Sequence, residues 1–300
     1  MQRTLMASCL LLAATQPALA NIDIQFDFSY DTSNFFSSNP DSVAALNAAA
    51  SVFETRFADN LTAITSSGGN SFDTAFFNPA DPFAASYISL ADQSVQANVI
   101  RIYAGAADLG GGTLGVGGPG GFGCSGFGSF CSNAASRGQG TVTGSGATDF
   151  APWGGTISFD NASTNWYFGL TSSGLMNSQY DFYSVAVHEL AHVLGFSSSD
   201  SFNNLVQGGQ FVGAHAGTVA LTADGHWADG TLGSVNGIAQ EAAMSPALSN
   251  GQRKYFTDLD FAAMQDIGWQ VTAVPEADTW ALMLAGLGLV GFAAKRRQRL

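Results

Sequence analysis

Alternating apolar and polar residues mark the first element after the N-terminal segment. Residues 21–30, NIDIQFDFSY, place Ile22, Ile24, Phe26 and Phe28 at every second position. A period of two residues is typical of a half-buried strand, because successive side chains point to opposite faces. The sequence therefore predicts a strand here.

A helical period follows directly. In residues 40–57, PDSVAALNAAASVFETRF, the apolar side chains recur every three or four positions. Asp41 or Ser42 is the expected N-cap, since short polar side chains accept the free amide hydrogens of a first turn. The mature fold is thus expected to open as a strand followed by a helix.

Two further strands are predicted on either side of a glycine-rich stretch. They are QANVIRIYAGA at 96–106 and GGTISFD at 154–160. Glycine is so frequent between Gly110 and Gly128 that we expect no regular element there, only a flexible surface loop. The run lacks the Gly-Lys-Ser/Thr ending of a phosphate-binding loop.

Two more helices are predicted in the C-terminal half. Apolar residues at helical spacing predict the first at about 181–194, ended by Gly195. In the second, FTDLDFAAMQDIGW, Thr257 is the expected N-cap and Gly268 the stop.

Composition and charge exclude some classes of function. With 46% apolar residues among 300, the chain can bury a substantial core. Its formal net charge is −13 at pH 7, and five of its ten basic residues lie at the two ends. Such a field repels phosphate backbones, so nucleic acid is not an expected partner.

The N-terminal segment predicts export. Residues 1–20, MQRTLMASCLLLAATQPALA, combine Arg3 with an apolar run and an Ala18-Leu19-Ala20 step. This is the pattern of a signal peptide that signal peptidase removes. A buried N-terminal core helix is the alternative.

The C-terminal segment, 275–300, also carries a sorting pattern. Pro275-Glu276 precedes about fifteen apolar residues and a basic end that includes Lys295 and Arg296. This order resembles the PEP-CTERM sorting signal of Gram-negative bacteria. The resemblance implies an exosortase-type partner, transient anchoring through a transmembrane helix, and a final location in the envelope, on the surface or in the extracellular matrix.

The exported chain, with its folded domain expected at 21–274, retains two cysteines. Cys124 and Cys131 lie seven residues apart. In an oxidising compartment we expect them to form one small-loop disulfide.

The main chemical signal is VHELAHVLG. His188 and His192 lie four residues apart in a predicted helix, so their imidazoles can reach one cation. Glu189 can then act on a water molecule held by that ion. This His-Glu-x-x-His motif, HELAH at residues 188–192, predicts a catalytic Zn²⁺ with glutamate as general base.

A third protein ligand is needed, because catalytic zinc usually has three. The extension to Gly195 resembles the metzincin metalloproteases, most of which place a histidine three residues later. Ser198 stands there, and a neutral hydroxyl is a poor zinc ligand. Asp200 is a weaker candidate.

The order of later motifs resembles the leishmanolysin-like branch of the metzincins. HELAHVLGF is followed by a long insertion, a His-Trp pair and a Glu-x-x-Met sequence. The resemblance implies that His226 is the third zinc ligand and that Met244, in a Met-turn at about 241–246, forms an apolar floor. His215 is the rival ligand.

The resemblance implies an α+β, metzincin-like fold. Its N-terminal subdomain would hold a mixed twisted sheet and the active-site helix, and its C-terminal subdomain would be mainly irregular and helical. It also implies a zinc endopeptidase acting on a protein or peptide. The substrate is expected antiparallel to an edge strand, with WGGTISFD as candidate; an interior strand is the alternative. Tyr183 or Tyr255 could assist, since Pro246 occupies the usual tyrosine position.

Two non-catalytic hypotheses remain open. One is a zinc-stabilised surface or biofilm-matrix protein, which the sorting tail supports but which gives Glu189 no role. The other is a calcium-dependent adhesin. The acidic surplus favours calcium, but the chain has no D-x-D-x-D-G ligand run.

Overall fold

The computed structural model describes residues 21–272 except Ser86. The signal peptide predicted at 1–20, the domain boundary at 274 and the sorting tail at 275–300 lie outside the described residues. Among the residues described, no helix has the length and apolar character needed to cross a membrane.

The described chain has α-helices and β-strands in a mixed order. The helices are α1 Phe35–Ser38, α2 Pro40–Glu54, α3 Phe130–Ser136, α4 Phe182–Val193, α5 Asp200–Asn203 and α6 Asp258–Asp266. The strands are β1 Asp23–Asp27, β2 Ser71–Phe77, β3 Tyr87–Leu90, β4 Val99–Ala107, β5 Gly115–Pro119, β6 Gly121–Ser125, β7 Gly154–Asp160, β8 Trp166–Tyr167, β9 Tyr180–Asp181, β10 Val206–Gln207, β11 Gln210–Gly213, β12 Gly217–Ala220, β13 Leu232–Val235 and β14 Ile238–Glu241.

The largest sheet has four strands in the order β1-β4-β7-β5. β1, β4 and β7 are parallel, and β5 runs antiparallel to β7. Every residue of β7 is buried, as expected for a strand covered on both faces. WGGTISFD therefore contains an interior strand, and the prediction that it is the edge strand is wrong. The edge strand on this side is β5.

The glycine-rich stretch contains two strands, β5 and β6, so the expectation of an irregular loop is wrong. Glycine weakens a strand but permits another backbone to approach closely. A Cβ atom added to Gly117 would lie 2.5 Å from the backbone oxygen of Glu189 in α4, and one added to Gly115 would lie 2.8 Å from Val185 Cγ1. The missing side chains let the edge strand pack directly on the helix.

Helix α2 packs against α4. Its buried face carries Ala45, Leu46, Ala49 and Phe53, spaced as a helix requires. The helix begins at Pro40 rather than after Asp41 or Ser42, and Asn39 is the N-cap residue, whose side chain makes no capping hydrogen bond. Proline is favoured in this first position, because an N–H group there would have no acceptor within the helix and its loss costs nothing.

A second sheet has the strand order β3-β2-β6 and lies beside the first. Cys124 in β6 and Cys131 in α3 are joined by a disulfide. The bond ties the second sheet to the helix that follows it.

The described part of the chain beyond α4 contains five short strands as well as α5 and α6. They form the sheet β10-β11-β12 and the hairpin β13-β14. The prediction of a mainly irregular and helical C-terminal subdomain did not include these strands. Helix α6 begins after Thr257, whose side chain forms a reciprocal capping box with Asp260.

Asp59 is a fully buried carboxylate near the end of α6. Burial raises its pKa to about 6, although the N–H of Gln270 donates to it. The unfolded-state pKa is lower, so the folded state binds more protons between about pH 4 and 6. The contribution of Asp59 to the free energy of unfolding therefore falls as pH rises through this window.

Replacing Asp59 by asparagine should remove this pH-dependent loss of stability, because an amide does not ionise. The amide oxygen can still accept a hydrogen bond from the Gln270 N–H. The stability of Asp59→Asn relative to wild type is expected to rise by up to about 3 kcal/mol between pH 4 and 7. Denaturant unfolding at both pH values measures this, with exposed Asp81→Asn as control. An unchanged difference across the two pH values contradicts the prediction.

Candidate metal centre

A buried ion pair stabilises the N-terminus of α4. Asp181 is the N-cap, and its carboxylate accepts from the N–H of Ser184 at 3.0 Å. The same carboxylate receives two hydrogen bonds from the Arg253 guanidinium, at 2.6 and 2.9 Å. A paired and hydrogen-bonded charge can stay buried. These contacts fix where the helix, and hence its functional face, begins.

The C-terminus of α4 is set by Gly195. Its φ of +107° disfavours any residue with a side chain, and a Cβ atom there would lie 2.7 Å from the ring of Phe150. The chain can therefore turn back under the helix, which brings the carbonyl of Phe196 to His192.

Three imidazoles converge at this helix. The Nε2 atoms of His188, His192 and His226 are each 3.1 Å from the other two. His188 and His192 come from successive turns of α4, and His226 comes from the segment between β12 and β13. These residues form a three-histidine group able to hold a metal ion.

The other ring nitrogens of the two helix histidines face carbonyl groups. Nδ1 of His188 lies 2.8 Å from the oxygen of Ala243, and Nδ1 of His192 lies 2.9 Å from that of Phe196. A proton on each Nδ1 donates to its carbonyl and leaves the Nε2 lone pair free. Burial and the neighbouring imidazoles lower both pKa values, that of His192 to about 4, so both rings are neutral near pH 7.

His226 faces a carboxylate instead. Its Nδ1 lies 3.2 Å from Asp224 Oδ2. The hydrogen bond that the Thr222 hydroxyl donates lowers the pKa of Asp224 most, and the contact with His226 lowers it further, to about 2. Histidine ligands commonly face such a carboxylate through the nitrogen that does not bind the metal.

The three nitrogens fit a zinc ion. The three Nε2 atoms lie 3.1 Å from one another, close enough to share one cation. Zn–N bonds are about 2.0–2.1 Å, and ligands of one tetrahedral ion have nitrogens somewhat over 3 Å apart. The donor set, all imidazole, also suits zinc.

Glu189 lies beside the histidines and is only 6% exposed. Burial raises its pKa to about 8, and the Gly117 N–H of the edge strand partly offsets this. A carboxyl group whose pKa is raised by burial binds a proton more readily than an exposed one.

Asp260 connects the elements that position His226. Its side chain accepts hydrogen bonds from Trp227 Nε1 and from the backbone N–H groups of Ala243 and Met244. Trp227 follows His226, and Ala243 is the hydrogen-bond partner of His188. The fully buried carboxylate of α6 thus orders both the third histidine and the segment below the site. Its place three residues after the N-cap Thr257 is the one sequence signal for Asp260, and it predicts a cap and not this wider role.

Asp260→Asn should lower the free energy of unfolding by about 2–4 kcal/mol, because an amide NH₂ would face several buried N–H donors. Chemical denaturation measures the change. Asp258→Asn, at an exposed position of the same helix, is the control and should cost about 1 kcal/mol or less. Equal effects of the two substitutions would contradict the role given to Asp260.

A cleft of about 740 Å³ contains the histidines. One wall is the loop and edge strand at 111–117, and the floor is the face of α4 that carries His188, Glu189 and His192. The opposite wall is the segment 245–248, which includes Pro246.

His215, the rival third ligand, lies apart from the three-histidine group. Its side chain is 48% exposed and pairs with Asp266 at 2.8 Å. Backbone N–H groups of His215 and Ala216 bind the same carboxylate. The contacts around His215 are those of a loop anchored to α6.

The two other ligand candidates are engaged elsewhere. Ser198 Oγ donates to the backbone oxygen of His192, and Asp200 accepts from the N–H of Gly144. Ser198 lines the cleft, but the metal-binding group does not include either residue.

The two tyrosines considered as assistants pack against each other, with ring centroids 5.9 Å apart. Burial raises the pKa of Tyr183 to about 12. Neither Tyr183 nor Tyr255 lines the cleft, whereas Tyr180 does.

Comparison with known proteins identifies two regions. The matrixin family matches residues 132–229, about a third of the chain, and this range contains all three clustered histidines. The PEP-CTERM protein-sorting motif matches residues 273–297. A search of curated proteins and a search of solved structures found no significant match.

These matches show what two parts of the chain resemble. The mixed α and β architecture with a matrixin domain is consistent with a metzincin-like fold, and the matrixin match indicates a zinc-dependent metalloendopeptidase. The sorting motif indicates export and a surface or extracellular location in a Gram-negative bacterium, with an exosortase partner. The match is to matrixins and does not specifically support the leishmanolysin-like branch.

Proposed function

We propose that this protein is an exported zinc endopeptidase that hydrolyses peptide bonds in protein or peptide substrates. The observation that carries the proposal is the convergence of three imidazole nitrogens beside a buried glutamate in an open cleft. A structural zinc site needs neither the glutamate nor the cleft.

Each site residue has one role in this proposal. His188, His192 and His226 hold the ion, and their Nδ1 contacts keep the lone pairs of Nε2 directed at it. Bound zinc supplies Lewis acidity, which lowers the pKa of water and offsets negative charge on the substrate carbonyl. Glu189 takes the proton of the attacking water and later returns it to the leaving amine.

The edge strand β5 is the proposed platform for the substrate backbone. It pairs with β7 along one side, and in the described residues no strand pairs with its other side. β5 also forms the cleft wall next to Glu189. An extended peptide added antiparallel to β5 would place its backbone across the three histidines.

The leishmanolysin-like subtype is a finer part of the proposal. Its support is the distance along the chain between His192 and His226, with His226 and not Ser198 in the three-histidine group. Met244 is the proposed apolar floor, and it is fully buried next to Ala243, whose carbonyl faces His188. We also propose that the C-terminal segment anchors the chain transiently in the membrane before sorting.

Metal content and hydrolysis of casein by the full-length protein test the proposal. We expect one zinc per chain, loss of hydrolysis with a zinc chelator, and recovery when zinc is restored. Hydrolysis that persists without metal would overturn it. Tightly bound zinc without hydrolysis of any substrate would favour a zinc-stabilised surface or matrix protein, for which the sorting motif is the supporting observation.

A further inference from the structure

One end of the cleft is lined by hydrogen-bond donors that the proposed chemistry does not use. This end lies beyond His188, towards the N-terminus of α4, and we name it the donor end. The residues that define it are Tyr180, Ser184, Val185, Ser245, Leu248 and Lys254.

Ser245 has a buried hydroxyl without a partner. The residue is 2% exposed, and its Oγ makes no hydrogen bond within the described part of the chain. Buried polar atoms in native proteins nearly always have a partner, because an unmade hydrogen bond costs free energy. Ser245 lies in the cleft wall, so a group that enters the cleft can supply the missing partner.

Lys254 brings a second donor to the same end. It is 3% exposed, and its Nζ donates to the oxygen of Ala247 at 2.6 Å and lies 3.0 Å from Glu241 Oε2. An ammonium group has three N–H donors, so one remains for a further acceptor. Lys254 lines the cleft, and Glu241 is absent from its lining.

The nearby charges make this end rich in donors without making it strongly positive. Glu241 offsets the charge of Lys254, and Asp181 and Arg253 form their own buried pair behind Ser184. Val185 and Leu248 supply apolar surface for the methylene groups of an entering side chain. The site therefore matches a side chain with an apolar stem and an oxygen acceptor at its tip.

We propose that the donor end selects substrates with a glutamine or glutamate side chain next to the scissile bond. The side-chain oxygen would accept hydrogen bonds from Ser245 Oγ and Lys254 Nζ. This inference rests on the proposed peptidase function and adds a substrate class to it.

Two sets of four peptides, one set for each side of the scissile bond, test the inference. Fluorogenic peptides would carry glutamine, glutamate, methionine or leucine on either side of the cleaved bond, and kcat/KM would be measured with the full-length, zinc-loaded protein. We expect glutamine and glutamate to exceed methionine, which has a similar length, by about tenfold at one of the two positions. Equal or higher values for methionine at both positions would overturn the inference.

Ser245→Ala provides the matched variant, because its Oγ holds no contact that the fold requires. The ratio of kcat/KM for glutamine to that for methionine should fall severalfold, with a thermal unfolding midpoint that does not decrease. Ser51→Ala, on the exposed face of α2, should leave the ratio unchanged. A ratio unaffected by Ser245→Ala would also overturn the inference. If the wild-type protein cleaves none of the peptides, the proposed function itself fails.

Discussion

Glu189→Gln is expected to lower kcat for peptide hydrolysis by about 10²–10⁴-fold while zinc stays bound. Glutamine has nearly the same shape as glutamate but cannot take a proton from the attacking water. The three histidines do not depend on this side chain for their Nδ1 contacts. Steady-state kinetics and metal analysis on the same preparation measure the two expectations together.

Glu54→Gln is the matched control for this substitution. Glu54 also has a pKa raised by burial and accepts a backbone hydrogen bond, from Ile24 at 2.8 Å. It lies at the end of α2 and does not line the cleft. Full activity in Glu189→Gln would exclude the glutamate as the general base, whereas equal losses in both variants would indicate a general effect of removing a carboxylate that is at least half-buried.

His226→Ala is expected to weaken zinc binding by more than about 100-fold and to abolish hydrolysis. The loss follows because only two of the three converging nitrogens would remain, and even changes to the partners of zinc ligands cost about 10–100-fold in affinity. Competition with a chromogenic chelator measures the affinity independently of activity.

His215→Ala separates the two histidines that the sequence left as rival ligands. His215 is paired with Asp266 away from the cluster, so this variant should bind zinc as the wild type does. Loss of zinc in His215→Ala with retention in His226→Ala would reverse the ligand assignment. Zinc retained in both variants would show that the ion is held elsewhere.

Local sequence patterns were sufficient for the helices that carry the site. The periodicity predicted a helix at about 181–194, and α4 spans Phe182–Val193. Thr257 caps α6 as expected. Helix periods, caps and terminal glycines act over one or two turns, so a single sequence contains the information needed to read them.

The position of β5, the proposed substrate platform, could not be predicted from local patterns. Glycine between 110 and 128 indicates an irregular loop when only local preference is considered, yet β5 pairs there with β7 and packs on α4. The absence of side chains at Gly115 and Gly117 is favourable only because Glu189 and Val185 lie against them. The same pairing makes β7 an interior strand, since sheet order depends on which distant segments meet.

By itself, the sequence determined the candidate metal-binding residues: two histidines on one helix beside a glutamate, with His226 and His215 as rivals for the third position. Only the tertiary structure decided which rival joins them. His226 lies 34 residues after His192, and the hydrogen bond between Trp227 and Asp260 holds the segment that brings His226 to the helix. The donor end also depends on the tertiary structure, because Ser245 and Lys254 line the same cleft as residues of α4. Spacing along a helix is a local property, whereas the convergence of separate segments depends on the packing of the whole chain.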